Sequence, residues 1–290
     1  MRLGPVGRGR SYSWRRGVVE SCLRVAYAGD WPARAWARVP GATHVREIRL
    51  ELALLPGAPG RPELRLAFVS DLHLGPTTPR ATLDSAFAAL ARAEPDVLML
   101  GGDYVFLDAT RAKARELEAR VRDVPARLKV AVLGNHDLWS HHARIEDALG
   151  RAGARVLLND AVRLGGQHGD VAIAGIDDAW TGDADAVRAV RAARGAELIV
   201  GLAHSPEGAE LLAVAGVPLV LCGHTHGGQV ALPGGRPIVV PGAVGRRHPW
   251  GLARLGGARV LVSRGVGGIE IPVRTWAPPD VAVVTLVPRA

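Results

Sequence analysis

The chain is expected to adopt an α/β fold in which two sheets are covered by helices, and three observations support this. Apolar, β-branched runs recur at residues 66–69, 97–100, 130–133, 198–202 and 219–221, the pattern of buried strands. Helical stretches fall between strands, at residues 80–93, 110–122, 141–150 and 183–193, and such alternation builds sheets flanked by helices. Each apolar run ends on a polar segment: Asp71-Leu72-His73, Gly101-Gly102-Asp103, Gly134-Asn135-His136-Asp137, Ala203-His204 and Gly223-His224-Thr225-His226. Strand carboxyl ends in α/β sheets form the crevice where ligands bind, so five polar clusters at five such ends can converge on one point.

Residues 1–44 read as a basic, aromatic-containing segment, and residues 45–290 as the unit that carries the motifs. The first 40 residues hold eight Arg against Glu20 and Asp30, which is +6 of the formal +8. The remaining 250 carry only +2, so no long nucleic acid partner is expected. Val18, Val19, Cys22, Leu23, Ala26 and Tyr27 fall at helical spacing, with Arg15, Arg16, Glu20 and Arg24 on another side. Two readings stay open: an amphipathic helix lying on an anionic membrane surface, or a helix packed on the domain. The apolar core that a signal peptide needs after Arg15-Arg16 is broken by Glu20 and Arg24. Residues 211–235 lack charge, but Pro218, glycines and two motif histidines interrupt them, so no transmembrane span is expected. The expected location is the cytoplasm, peripheral at the inner membrane face.

Residues 45–54 alternate charged and apolar side chains, as an edge or half-exposed strand does. Residues 56–62 form a Pro- and Gly-rich loop leading to the first buried strand. Short strands near 155–175 and 259–287, without helices between them, read as antiparallel additions to the second sheet. Residues 233–251 follow the Gly223–His226 segment and are rich in Gly and Pro. Arg246 and Arg247 there are candidates for gripping phosphate with paired hydrogen bonds, and Trp250 for covering a sugar, base or lipid chain. Cys22 and Cys222 give no disulfide framework. His44, His141, His142 and His168 lie outside the motifs and are expected to face solvent.

The five segments supply the ligands of a two-metal site. Asp103 is the candidate bridge, because it follows two glycines that allow close approach. Asp71, His73 and His226 would complete one metal, and Asn135, His204 and His224 the other. This mixture of imidazole, carboxylate and amide suits two divalent ions of Mn, Fe or Zn better than Ca or Mg. Two ions, two carboxylates and a hydroxide leave a net charge of roughly +1, which suits a phosphate anion. His136 lies beside the ligand Asn135 and is left free to donate a proton to a leaving-group oxygen. Asp137 is a candidate to orient it or to make a contact behind the ligands.

These residues resemble the calcineurin-like metallophosphoesterase superfamily, whose pattern runs DxH, GD, GNH(D/E), a lone His and GHxH. The resemblance implies a four-layer αββα sandwich, a metal-bridging hydroxide as nucleophile and His136 as the acid. Within the superfamily, Cys222 to Gln229, then Val262-Ser-Arg-Gly-Val266 and Ile271-Pro-Val-Arg274, are similar to a bacterial membrane-associated phosphodiesterase branch. That branch resembles enzymes cleaving UDP-2,3-diacylglucosamine in lipid A synthesis, which implies a phosphodiester or pyrophosphate substrate that is lipid-linked. The GDxxDRG string of phosphoprotein phosphatases is absent, because Phe106 and Leu107 stand where its Asp and Arg would be. A nuclease or cyclic-nucleotide phosphodiesterase is the alternative enzyme, and a non-catalytic scaffold of the same fold is the alternative of another class.

Overall fold

The structure is a computed structural model that describes residues 6–57 and 60–289. In chain order the helices are α1 (Trp14–Ala26), α2 (Trp31–Trp36), α3 (Arg80–Arg92), α4 (Arg111–Asp123), α5 (Asn135–Trp139), α6 (His142–Arg151), α7 (Ala186–Ala192), α8 (Pro206–Val214) and α9 (Ala243–Arg247). The strands are β1 (Arg46–Leu55), β2 (Leu64–Val69), β3 (Val97–Leu100), β4 (Leu128–Ala131), β5 (Ala154–Val156), β6 (Asp160–Arg163) and β7 (Val171–Gly175). They continue with β8 (Leu198–Leu202), β9 (Leu219–Cys222), β10 (Ala231–Leu232), β11 (Arg236–Pro237), β12 (Gly251–Leu255), β13 (Ala258–Val262) and β14 (Asp280–Pro288).

Two six-stranded sheets run in the orders β1-β14-β2-β3-β4-β5 and β12-β13-β9-β8-β7-β6. Side chains alternate across each strand, so each sheet has two apolar faces. From β2, Leu64, Leu66 and Phe68 point between the sheets, where they meet Ile173, Val200 and Leu221. Ala67 and Val69 point the other way, against Leu83 of α3, Leu117 of α4 and Ile145 of α6. On the second sheet, Ala174, Val220 and Val262 face Ala189 of α7 and Leu212 of α8. Helices, sheet, sheet and helices thus form the four-layer αββα sandwich, with three apolar seams.

β1 lies at a sheet edge, as its alternation indicates. β6, β7 and β13 join the second sheet as expected; β6 pairs antiparallel with β7 and β13 antiparallel with β12, while β7 and β13 also pair parallel with β8 and β9. Two strands in those stretches depart from the expectation. β5 pairs parallel with β4, and β14 enters the first sheet between β1 and β2. An apolar run specifies burial, and both sheets offer buried slots, so the run alone does not select its partner. His168 also departs: it is buried beside Arg61, with 3.3 Å between its Nδ1 and Arg61 Nη2.

The residues before β1 dock on the motif-bearing loops. Gly9 N donates to Leu138 O at 2.9 Å, Arg10 N to Thr181 O at 3.0 Å and Ala33 N to Pro76 O at 2.9 Å. Arg8 donates to both oxygens of Asp177, at 2.5 and 2.7 Å. Helix α1 begins at Ser13, whose hydroxyl accepts from Arg16 N. It turns Arg16, Glu20 and Arg24 toward the domain, while Trp14, Val19, Cys22 and Val25 are exposed. The helix therefore packs on the domain through its charged side. Among the described residues, no helix is long and apolar enough to cross a membrane.

Candidate metal centre

The loops after β2, β3, β4, β8 and β9 meet at one end of the two sheets. Asp71, His73, Asp103, His224 and His226 all stand at positive φ, between 44° and 73°. Each such non-glycine residue costs about 1–2 kcal/mol, which the surrounding structure must offset, and strain of this kind clusters at functional sites. The loops also approach too closely for side chains at two points. A Cβ on Gly134 would come within 2.2 Å of Asp103 Oδ1, and one on Gly223 within 2.3 Å of Asp71 Oδ2.

The seven expected ligands are all buried, and their donor atoms form two groups. In the first, His73 Nε2 and His226 Nε2 are 3.1 Å apart, and Asp71 Oδ1 lies 3.6 Å from His226 Nε2. In the second, His204 Nε2 is 3.1 Å from both Asn135 Oδ1 and His224 Nδ1. Asp103 Oδ2 stands between the groups, 3.6 Å from His73 Nε2 and 3.3 Å from His204 Nε2. Donors about 2.0–2.2 Å from a shared ion lie roughly 3.0–3.6 Å from one another, so these separations fit two ions that share Asp103. Asp71-His73-His226 and Asp103-His204-His224 each bring three donors close enough to hold a metal. Borderline N and O donors of this kind fit Mn, Fe or Zn.

Neighbouring groups fix how these ligands present themselves. His204 Nδ1 donates to Gly101 O at 2.9 Å, which turns Nε2 toward the second group, where an ion would take the place of its proton. Arg274 Nη2 donates to His226 Nδ1 at 3.0 Å. Asp71 accepts from His224 N at 3.0 and 3.2 Å, tying the β2 loop to the β9 loop. Burial pushes His73 down to about 4, His224 to about 3 and His226 well below the usual histidine value, so these imidazoles stay in the neutral, ligating form. Burial opposes the charged forms of Asp103 and His204 as well, but their mutual attraction wins. It holds Asp103 well below and His204 well above their ordinary values.

Asp137 does not orient His136. Its Oδ2 accepts from Asp103 N at 2.7 Å and Gly134 N at 3.0 Å, and its Oδ1 from Tyr104 N at 2.9 Å. It clamps the backbone of two ligand loops. Burial and the neighbouring Asp103 charge push its carboxyl up to about 8, against the pull of these N–H donors. His136 is instead held by rings, with centroids 5.2 Å from Trp139, 5.7 Å from Phe106 and 4.9 Å from His73.

A cavity of about 470 Å³ opens over the centre. Asp103, Asn135, His136, His224 and His226 line its floor, and Trp139, Trp180, Val230, Ile238, Val239 and Ile271 give it an apolar wall. A wider groove of about 890 Å³ runs between α2 and helices α3 and α4 and contains none of the expected ligands. Arg246 and Arg247 depart from the sequence expectation. They are exposed on α9, Arg247 faces Glu210 at 3.5 Å, and neither lines the cavity. Trp250 also lies off the cavity and stacks on Arg264, 3.8 Å from the guanidinium carbon to the ring. The arginine that does line the cavity is Arg16, whose Nη2 donates to His136 Nε2 at 3.1 Å. Sequence reasoning missed it because Arg16 belongs to no motif. Arg274 was visible within Ile271-Pro-Val-Arg274, but nothing there indicated that it would back His226.

A model of the calcineurin-like phosphoesterase family matches residues 64–228. The phosphodiesterase YaeI of Escherichia coli (strain K12) is 30% identical over 230 residues, spanning 77% of this chain and 82% of its own length. An uncharacterized metallophosphoesterase of Aquifex aeolicus (strain VF5) is 31% identical over 232 residues, spanning 77% and 85%. Among solved structures, the NAD nucleotidase of Haemophilus influenzae aligns over 71% of this chain with 13% identity and a TM-score of 0.47. The alignment takes in 46% of the nucleotidase, so this chain spans about half its length. The family match, which covers more than half of the sequence, and relatives at this identity show that the chain belongs to the calcineurin-like phosphoesterase family and is a phosphoric ester hydrolase.

Proposed function

We propose that the protein uses two divalent ions to hydrolyse a phosphodiester or pyrophosphate bond in a substrate with a lipid part, such as UDP-2,3-diacylglucosamine. The observation that carries this reading is the pairing of two donor groups, joined at Asp103, with a cavity whose wall is apolar. Asp71, His73 and His226 would hold one ion and Asn135, His204 and His224 the other, with Asp103 between them. When bound, the ions supply Lewis-acid charge to phosphoryl oxygens and acidify water for attack at phosphorus. His136 stands at the cavity floor; burial holds its imidazole well below the usual histidine value and its Nε2 accepts from Arg16, so it serves the leaving oxygen as acid only once Arg16 has turned to another acceptor and Nε2 has taken up a proton. Trp139 and Phe106 hold its ring in place for that transfer.

Support for the lipid part comes from the wall and from the surface around it. Ile238, Val239 and Ile271 line the cavity and are also exposed, so the apolar wall continues to the outside. Tyr27, which follows α1, donates from its hydroxyl to Glu270 O at 2.8 Å, which brings the C-terminal end of α1 next to that rim. Together with the exposed Arg15, Arg34 and Arg38, this surface suits an anionic membrane interface, and the inner membrane face is the proposed location.

Mn-loaded protein incubated with UDP-2,3-diacylglucosamine is expected to release UMP, followed by mass spectrometry. His136→Ala should keep its metals and lose about 100-fold or more in kcat on an alkyl phosphodiester, whose alkoxide leaving group needs protonation. A His136→Ala variant as active as the parent refutes the assigned acid. Cleavage of a generic diester with no UMP release refutes the lipid-linked substrate and leaves the chemistry standing.

A further inference from the structure

The cavity has a cationic wall contributed from far outside the segment that matches the family. Arg16 lies on α1, whereas the match begins at residue 64. Its guanidinium lies over Trp139, 4.1 Å from the ring centre, and its Nη2 reaches His136. Three further contacts set its position. Arg16 Nε donates to Glu20 Oε1 at 3.0 Å, Tyr12 donates to Glu20 Oε2 at 2.8 Å, and Glu20 is buried. One helical turn on, Arg24 donates to Asp108 at 2.6 and 3.2 Å. Asp108 lies on the loop that carries Asp103, so the register of α1 is tied to the loop of the candidate bridging ligand.

A guanidinium beside a centre built for two cations is repelled by them. Glu20 and the Trp139 ring offset part of that repulsion from one side, and an anion between the charges would remove it on the cavity side. Arg has donors only; in the structure Glu20 accepts from its Nε, and His136 Nε2 accepts from the Nη2 that faces the cavity. A phosphoryl oxygen is a stronger, charge-assisted acceptor, and the planar guanidinium fork matches its geometry. Among the described residues, Arg16 is the one arginine lining the cavity, and its side chain is 25% exposed, open to an entering ligand.

We propose that Arg16 is a substrate-binding residue: its guanidinium takes a non-bridging oxygen of the scissile phosphate, so that helix α1 forms part of the active site. This rests on the phosphoesterase reading of the metal centre. It also means that a division of the chain at residue 44 cuts through the active site.

The test uses the full-length, metal-loaded protein, with metal content measured for every variant. Arg16→Ala is expected to lower kcat/KM on bis(p-nitrophenyl) phosphate roughly 100-fold, the scale of losing one anion-stabilising donor. It should weaken inorganic phosphate binding, read by calorimetry, by roughly tenfold or more. Arg16→Lys should recover only part of both, since a point charge replaces the fork. Added guanidinium ion at millimolar concentration should restore activity to Arg16→Ala, which a purely structural role for the helix would not allow. The proposal is overturned by an Arg16→Ala variant whose phosphate affinity and kcat/KM stay within about twofold of the parent. It is equally overturned by an activity loss that guanidinium does not rescue while phosphate affinity is unchanged. Calorimetry needs no turnover, so a parent that binds metal and phosphate but cleaves nothing sinks the phosphoesterase reading and still leaves Arg16 tested.

Discussion

Removing the Asp137 carboxylate should destabilise the protein and loosen the metal centre together. Asp137 is fully buried and accepts three backbone N–H bonds, from Asp103, Tyr104 and Gly134. Asp137→Ala leaves three donors in the interior, each worth about 1–3 kcal/mol when unsatisfied. A water entering the vacated space would satisfy part of this, so the expected loss is about 3–5 kcal/mol rather than the full sum. Asp137→Asn keeps one acceptor oxygen but turns an NH₂ group toward another N–H, and should fall between the parent and the alanine variant. Urea unfolding with chelator present measures this without the contribution of bound metal. Metal affinity, titrated separately, should drop about tenfold or more as the Asp103 loop relaxes. An Asp137→Ala variant within about 1 kcal/mol of the parent would refute the clamp.

Other outcomes follow from the same geometry. Asp103→Ala should lose both ions, and His226→Ala mainly one, by elemental analysis of the purified variants; equal retention in both would remove Asp103 from the bridging position. Chelation should abolish turnover, and adding back Mn should restore it. Burial pushes Asp177 up, but the paired hydrogen bonds from Arg8 prevail and hold it below the usual carboxylate value. Its contribution is therefore fully present above about pH 4 and is lost as pH falls through the lowered value. Thermal unfolding from pH 7 to pH 3 should show Asp177→Asn losing less stability on acidification than the parent, and parallel curves would contradict this. The Arg246→Ala, Arg247→Ala double variant should keep KM within about twofold of the parent, because neither side chain lines the cavity; a large rise in KM would place α9 at the substrate.

The two groups of metal-capable donors were legible because such chemistry restricts residue types. Only a few side chains ligate divalent ions, and here they sit directly after runs whose strand character is plain, so Asp71, Asp103 and His204 could be placed before any coordinates. The edge position of β1 was legible for a similar reason, since its alternation records one exposed face. Helix α1 was not. Its apolar positions suggested a buried face, yet the buried face is Gly17 and Glu20, because Tyr12 and Arg16 on the same segment satisfy that carboxylate and Arg24 reaches Asp108. Local periodicity carries no information about partners 84 residues away. The same limit explains Arg16: from sequence, nearness to the Gly223–His226 segment favoured Arg246 and Arg247, and the fold brought a distant arginine in their place. β14 reads correctly as a strand, and only the three-dimensional competition between two sheets decides where it goes.

The position of β14 also constrains when the protein can work during its own synthesis. It fills the slot between β1 and β2, strands completed roughly 200 residues earlier. A ribosome adding about 5–20 residues per second leaves β2 without that neighbour for on the order of 10–40 s. Asp71, two residues beyond β2, cannot reach its final setting until the last strand arrives. A nascent chain would thus expose two apolar strand edges throughout this interval, and hydrolysis could begin only after β14 has emerged.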